Sequence, residues 1–183
     1  MSKWEIMISA LHKHIIPKIY NAGFSGKYPH FRKECNNYVE LISFQTNKYG
    51  GSFTIEVSAV FPNTQYPNYI PYKDMADHYL RVDATNIRYR LPGLYDGWFY
   101  YSDVYRKRTL FYGNVYYNTM QNDNTTDIFS KGYRLVQKFD DNAAEQICKE
   151  IDRQMLNARR WLDHFEKKQL NRINRYNKTR QDT

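Results

Sequence analysis

SFQTNKYGGSFTIEVSAVF, residues Ser43 to Phe61, carries the strongest fold signal in the chain. From Phe53 onward apolar side chains fall on every second position: Phe53, Ile55, Val57, Ala59 and Phe61. A period of two places them on one face of a strand. The preceding NYVELISFQ reads as a partner strand, and Gly50-Gly51 supplies the positive φ angles that a tight connection demands. YPHFRKE, before the CNN turn, adds a third strand, so the expectation is an antiparallel meander.

Toward the N-terminus, SKWE is a capping box in which Ser2 accepts from the Glu5 backbone N–H and Glu5 reaches back. Trp4, Ile8, Leu11, Ile15 and Ile19 follow at helical spacing and form a stripe that needs a core. Pro17 should kink or shorten the last turn, and Gly23 should stop the helix. Toward the C-terminus, PNTQYPNYIPYKDMADHY reads as a surface loop, and TNIRYRL reads as a fourth strand. There Ile87, Tyr89 and Leu91 face one way, and Asn86, Arg88 and Arg90 the other. GWFYYS and LFYGNVYYN suggest further strands.

From Tyr133 onward neither Pro nor Gly occurs, which reads as helix, with Asp140, Asp141 and Asn142 supplying caps. Ile147, Ile151, Met155, Ala158, Leu162 and Phe165 would form its buried face, with Lys149, Arg153, Arg160 and Lys167 opposite. A single helix of this length would outrun the domain, so a break or a protruding end is expected. The whole reads as α+β: an antiparallel sheet of about five or more strands, flanked by an N-terminal helix and a long C-terminal helical segment. Residues 1–170 are taken as one domain and 171–183 as a basic extension.

The 183 residues carry a net charge of +8, and that charge is uneven. Residues 153–180 hold nine Lys or Arg against two Asp or Glu, while residues 1–152 hold 18 against 16. An electrostatic partner is therefore sought first at the C-terminus. Eighteen tyrosines and sixteen asparagines can reflect nucleotide bias as readily as a binding surface. Cys35 and Cys148 leave a disulfide open, although two reduced thiols are the simpler reading. With no signal-type apolar core and no stretch long enough to span a bilayer, a cytoplasmic protein is expected.

Several phrases together resemble a known family. AGF after a helix with a late proline, FR, SFQTNKYGGSFTIEV, IRYRL before GWF, and RRWLDHF are similar to the bacterial domain-of-unknown-function 4304 family, over about Leu11 to Phe165. The resemblance implies an α+β fold with helices on an antiparallel sheet. It implies no activity, because the family brings no catalytic residues to carry over.

Motifs for catalysis are missing: GxSxG, P-loop, HExxH, GxGxxG and paired CxxC do not occur. His12 and His14 diverge on a helix. Asp74, Asp77 and His78 could share a helical face, but a solvated polar face gives the same letters. Cys35 with His30 lacks an orienting third group. No catalytic residue, metal or cofactor is therefore expected.

Two binding classes come first, with an unrecognised enzyme as the third reading. Trp98, Phe99, Tyr100 and Tyr101 offer the large, rigid aromatics favoured at protein interfaces, unless the strand buries one pair or the other. Arg88, Arg90, Arg106 and Arg108, interleaved with tyrosines, together with Arg153, Arg160 and Lys167, could instead meet nucleic acid. The bland reading of these arginines is a solvated strand face or pairing with Asp and Glu. A protein partner is the first expectation and nucleic acid the alternative; no membrane partner is expected, and the sequence does not set the oligomeric state.

Overall fold

A computed structural model describes residues 1–36, 38–60, 81–82, 85, 88–93, 97–110, 113–118 and 132–181. The expectations for Phe61, Asp74, Asp77, His78, Asn86 and Ile87 lie outside them.

Helix α1 spans Lys3–His14 and opens on the capping box, with Ser2 Oγ accepting from the Glu5 backbone N–H at 3.2 Å and Glu5 Oε2 accepting from the Ser2 N–H at 2.6 Å. Both hydrogen bonds satisfy donors left free at the helix start, and donation from the Ser2 backbone N–H, helped by the Ser2 side chain, holds the Glu5 carboxyl below its ordinary pKa. Helix α2, Ile16–Asn21, restarts at Pro17, which suits the first turn because its missing N–H would have been unpaired there. Gly23, with φ 88°, ends it.

Strands β1 (Ser25–Lys27), β2 (His30–Glu34), β3 (Val39–Thr46), β4 (Ser52–Val60), β5 (Tyr89–Arg90) and β6 (Phe99–Tyr100) form one antiparallel sheet. Its order is β1-β2-β3-β4-β5, and β6 also pairs with β4. Gly50 and Gly51, at φ 77° and 74°, make the β3–β4 turn. A second sheet joins β7 (Val104–Thr109), β8 (Gly113–Asn118) and β9 (Arg134–Gln137) in the order β8-β7-β9.

Helix α3, Asp141–Gln181, follows the strands. It is capped by Asp140, whose Oδ1 accepts from the Ala143 N–H at 2.9 Å. The expected helix from Tyr133 is corrected, because Arg134–Gln137 is a strand paired with β7. Absence of Pro and Gly permits a helix without requiring one; here cross-strand pairing wins over local propensity. Of the expected break or protruding end, the break is absent: α3 runs 41 residues without interruption, about 60 Å at 1.5 Å per residue.

The core lies between the helices and one face of the first sheet. Met7, Leu11, Ile15 and Ile19 meet Ile42, Phe44, Phe53, Ile55 and Val57, and α3 adds Ala144, Ile151, Ala158, Leu162 and Phe165. Trp4 and Ile8 of the expected stripe are only partly buried at its edge. Phe53 anchors an aromatic run, with ring centroids 5.5 Å from Phe99 and 6.3 Å from both Phe44 and Tyr101. Trp161 of α3 stacks on Tyr89 at 5.6 Å and on Phe165 at 5.3 Å. Asp103 ties three elements, accepting from the Phe139 N–H at 2.8 Å and pairing with Lys3 at 2.8 Å. Among the described residues no helix is long and apolar enough to cross a membrane.

Candidate functional site

Strand β4 is buried on both faces. Its odd positions meet the helices, and its even positions, Ser52, Thr54, Glu56 and Ser58, turn polar groups to the other side, where the alternation of the sequence puts them. A buried carboxylate has to be paired. Glu56 is: Arg90 donates to its Oε1 from Nε at 3.0 Å and Nη2 at 2.8 Å, and Arg88 and Gln45 donate to Oε2 at 3.2 and 3.3 Å. Arg88 and Arg90 thus share a face as expected, with Tyr89 on the opposite, helix-facing side, but both guanidinium groups are engaged by one carboxylate.

A second buried carboxylate lies on the helix side. Glu40, 1% exposed, accepts from Arg159 Nη1 of α3 at 2.7 Å, and the Tyr38 hydroxyl lies 3.5 Å away. Lys33 stands 3.7 Å from its other oxygen. Burial, with Cys35, Glu166 and Glu40 around it, pushes the Tyr38 phenol above its ordinary pKa, so it stays a neutral donor. This constellation ties α3 to β3.

The four aromatics are not one surface. Phe99 and Tyr101 are core residues, 2% and 3% exposed, and a partner cannot reach them while the fold holds. Trp98 and Tyr100 lie on the other side of the strand and are half-buried, with the Arg90 guanidinium 5.9 Å from the Trp98 ring. Of the two arrangements expected for these aromatics, the strand alternation is the one seen: consecutive side chains go to opposite faces, Phe99 and Tyr101 inward and Trp98 and Tyr100 to the other side.

The remaining arginines divide. Arg153 is exposed but engaged by Glu150 at 2.8 Å, whereas Arg160 and Lys167 are exposed farther along α3. Arg106 and Arg108 are exposed on β7, and Arg106 stands opposite Arg134 of β9. Among the described residues β9 pairs with β7 alone, and all four of its residues are exposed, Leu135 to 47% and Val136 to 44%.

His12 and His14 do not converge: His12 packs 6.1 Å from the Tyr28 ring, and His14 lies 3.5 Å from Glu145. Cys35 and His30 sit five residues apart on extended chain, about 16 Å, and His30 Nδ1 is 3.0 Å from Ser43 Oγ. Cys35 and Cys148 are free thiols, and burial pushes the Cys148 thiol up to about 12. Among the described residues no cluster of three metal-ligating side chains occurs.

The six-stranded antiparallel sheet, with α2 leading into it, lies within the stretch that a family model recognises. A match to the family described as Domain of unknown function (DUF4304) runs over residues 15–109. The chain belongs to the DUF4304 family. The match starts at the α1–α2 joint and ends on Thr109, the last residue of β7, so it is shorter than the expected Leu11 to Phe165 and stops before RRWLDHF. The DUF4304 stretch thus contains Glu40, Glu56 and their strand partners, while Arg159 and β9 come from the chain beyond it. No curated protein and no solved structure matches the chain.

Sequence reasoning missed β9 and the two buried glutamates. VELIS and TIEVS each place one acid inside an apolar strand, which signals a carboxylate with a committed cation. RLVQ offers only four residues, too few to separate strand from helix by period.

Proposed function

We propose that this protein is a non-catalytic binding or accessory protein of the bacterial cytoplasm, and that its partner is another protein. The observation carrying this reading is β9, among the described residues an edge strand whose four residues are all exposed, with Leu135 and Val136 at 47% and 44%. Edge strands offer unpaired N–H and C=O groups to any extended chain, and soluble proteins usually cover or charge them. Strand addition to such an edge draws affinity from main-chain hydrogen bonds and specificity from alternate side chains. Arg106, Arg108 and Arg134 beside it favour an acidic partner strand.

Photo-cross-linking from position 136 in cells, followed by purification, tests it. One stoichiometric protein is expected, and it should disappear when Leu135 and Val136 both become Lys while the melting temperature holds. Nuclease-sensitive absorbance without a protein would replace this reading with the nucleic-acid one. That alternative draws on the facing pair Arg106 and Arg134 and on the exposed Arg160 and Lys167.

A further inference from the structure

Between α2, α3 and the sheet lies a cavity of about 200 Å3. Ile19 and Phe24 form one wall, Ile42 and Val57 the floor, and Met155 and Leu162 the opposite wall. Leu156 also lines it while remaining 64% exposed, so the cavity opens to solvent along α3. Its charged lining is unbalanced: Lys18, Lys33 and Arg159 against Asp152 alone. Lys18 and Asp152 cancel as a pair 2.7 Å apart, and Arg159 is held by Glu40 and Asp163, each at 2.7 Å.

Lys33 differs. Its ammonium is 3.7 Å from Glu40 Oε2, too far for a hydrogen bond, and among the described residues that buried oxygen has no hydrogen-bond partner. The same ammonium lies 5.8 Å from the centre of the Phe24 ring, which lines the cavity. Lys33 therefore stands at an apolar wall with no hydrogen-bond acceptor for its ammonium among the described residues. A ligand suited to this site has an apolar body and one anionic acceptor.

We propose that the cavity between α2, α3 and the sheet binds a small aliphatic or aromatic carboxylate, its apolar body on Ile42 and Val57 and its carboxylate on Lys33. A dry cavity of about 150 Å3 accepts benzene, so this one suits a body of roughly six to eight carbons. The cavity and the β9 edge are separate sites, and occupancy of one does not require the other.

Hexanoate, 1-hexanol and hexylamine, titrated into methyl-labelled full-length protein, test it. Methyl resonances of Ile42, Val57 and Met155 should shift saturably with hexanoate, while those of Val39 and Leu41, in a separate cluster, should not. Hexanol should bind about tenfold more weakly, the worth of one charge-assisted hydrogen bond. Lys33→Met should abolish that preference and leave hexanol binding unchanged, and Lys33→Gln serves if the methionine variant does not fold. No saturable shift with any probe, equal binding of hexylamine, or a preference surviving in the Lys33 variant would each overturn the proposal. So would cavity shifts that follow protein concentration instead of ligand, which would mean that a second copy covers the site.

Discussion

Arg159 Nη1 donates to Glu40 Oε1 at 2.7 Å, joining α3 to β3 across 119 positions of sequence. The carboxylate is 1% exposed and the arginine side chain 47%, so the pair is buried at one end and open at the other. Removing the cation leaves a buried charge with Lys33, at 3.7 Å, as its remaining cation among the described residues and the Tyr38 hydroxyl at 3.5 Å. Arg159→Gln should therefore cost about 3 kcal/mol, read as a lower urea midpoint at unchanged m-value. In a Glu40→Gln background the same change should cost much less. Equal costs in the two backgrounds would mean that the residues are not coupled.

Leu11 and Phe53 are both fully buried, on opposite sides of the helix–sheet contact. Leu11→Ala should cost roughly 2–5 kcal/mol and Phe53→Ala roughly 3–5 kcal/mol. Unchanged denaturation midpoints would remove the packing of α1 on this sheet.

Tyr28 carries a buried hydroxyl with no hydrogen-bond partner among the described residues, and burial, with a smaller push from Tyr101, raises its pKa from 10.0 to about 12. The fold thus favours the protonated phenol. That contribution is whole below pH 10 and is lost as pH rises to about 12. Tyr28→Phe should keep or raise stability at neutral pH, because an unpaired buried hydroxyl is removed. It should also flatten the alkaline decline. The Cys148 thiol acts in the same direction from pH 9 to about 12, so Cys148→Ala should flatten the lower part of that window. Identical pH–stability profiles for wild type and both variants would contradict this assignment.

Trp98 and Phe99 are neighbours whose side chains leave the chain on opposite faces, which separates binding from stability. Phe99→Ala should lower the melting temperature strongly, while Trp98→Ala should change it little. A partner that reaches this side of the sheet should bind Trp98→Ala more weakly by over about 1 kcal/mol, measured by calorimetry. A melting temperature that falls equally in both variants would show that Trp98 also serves the core.

Replacing Arg153, Arg160 and Lys167 together by Gln should leave the fold intact, since all three are exposed. Any nucleic-acid binding should weaken for every sequence, with its salt dependence flattened by about 0.9 log unit for each duplex phosphate no longer neutralised. The complex proposed for β9 should be unaffected. Tight nucleic-acid binding at physiological salt that vanishes in this variant would favour the alternative function.

Elements whose signals are local and periodic were legible from the residues alone. Ser2 and Glu5 cap α1 because their reach is three residues, and Gly50-Gly51 turns the chain because only glycine takes those angles freely. Phe53, Ile55 and Val57 face the core because a strand alternates by two. The family could be read for the same reason, since most of its phrases lie in those strands. Whatever depends on distant chain had to wait for the folded molecule. Whether Phe99 or Trp98 faces the core is set by the pairing of β6 with β4, because alternation fixes that they part without fixing which goes inward. Arg134–Gln137 is a strand because β7 offers it partners. Arg159, one of several arginines on an amphipathic helix, becomes the one that holds Glu40 only when α3 docks on the sheet. A buried charge selects its counter-ion by proximity in space, and proximity across 119 residues leaves no periodic trace in the sequence.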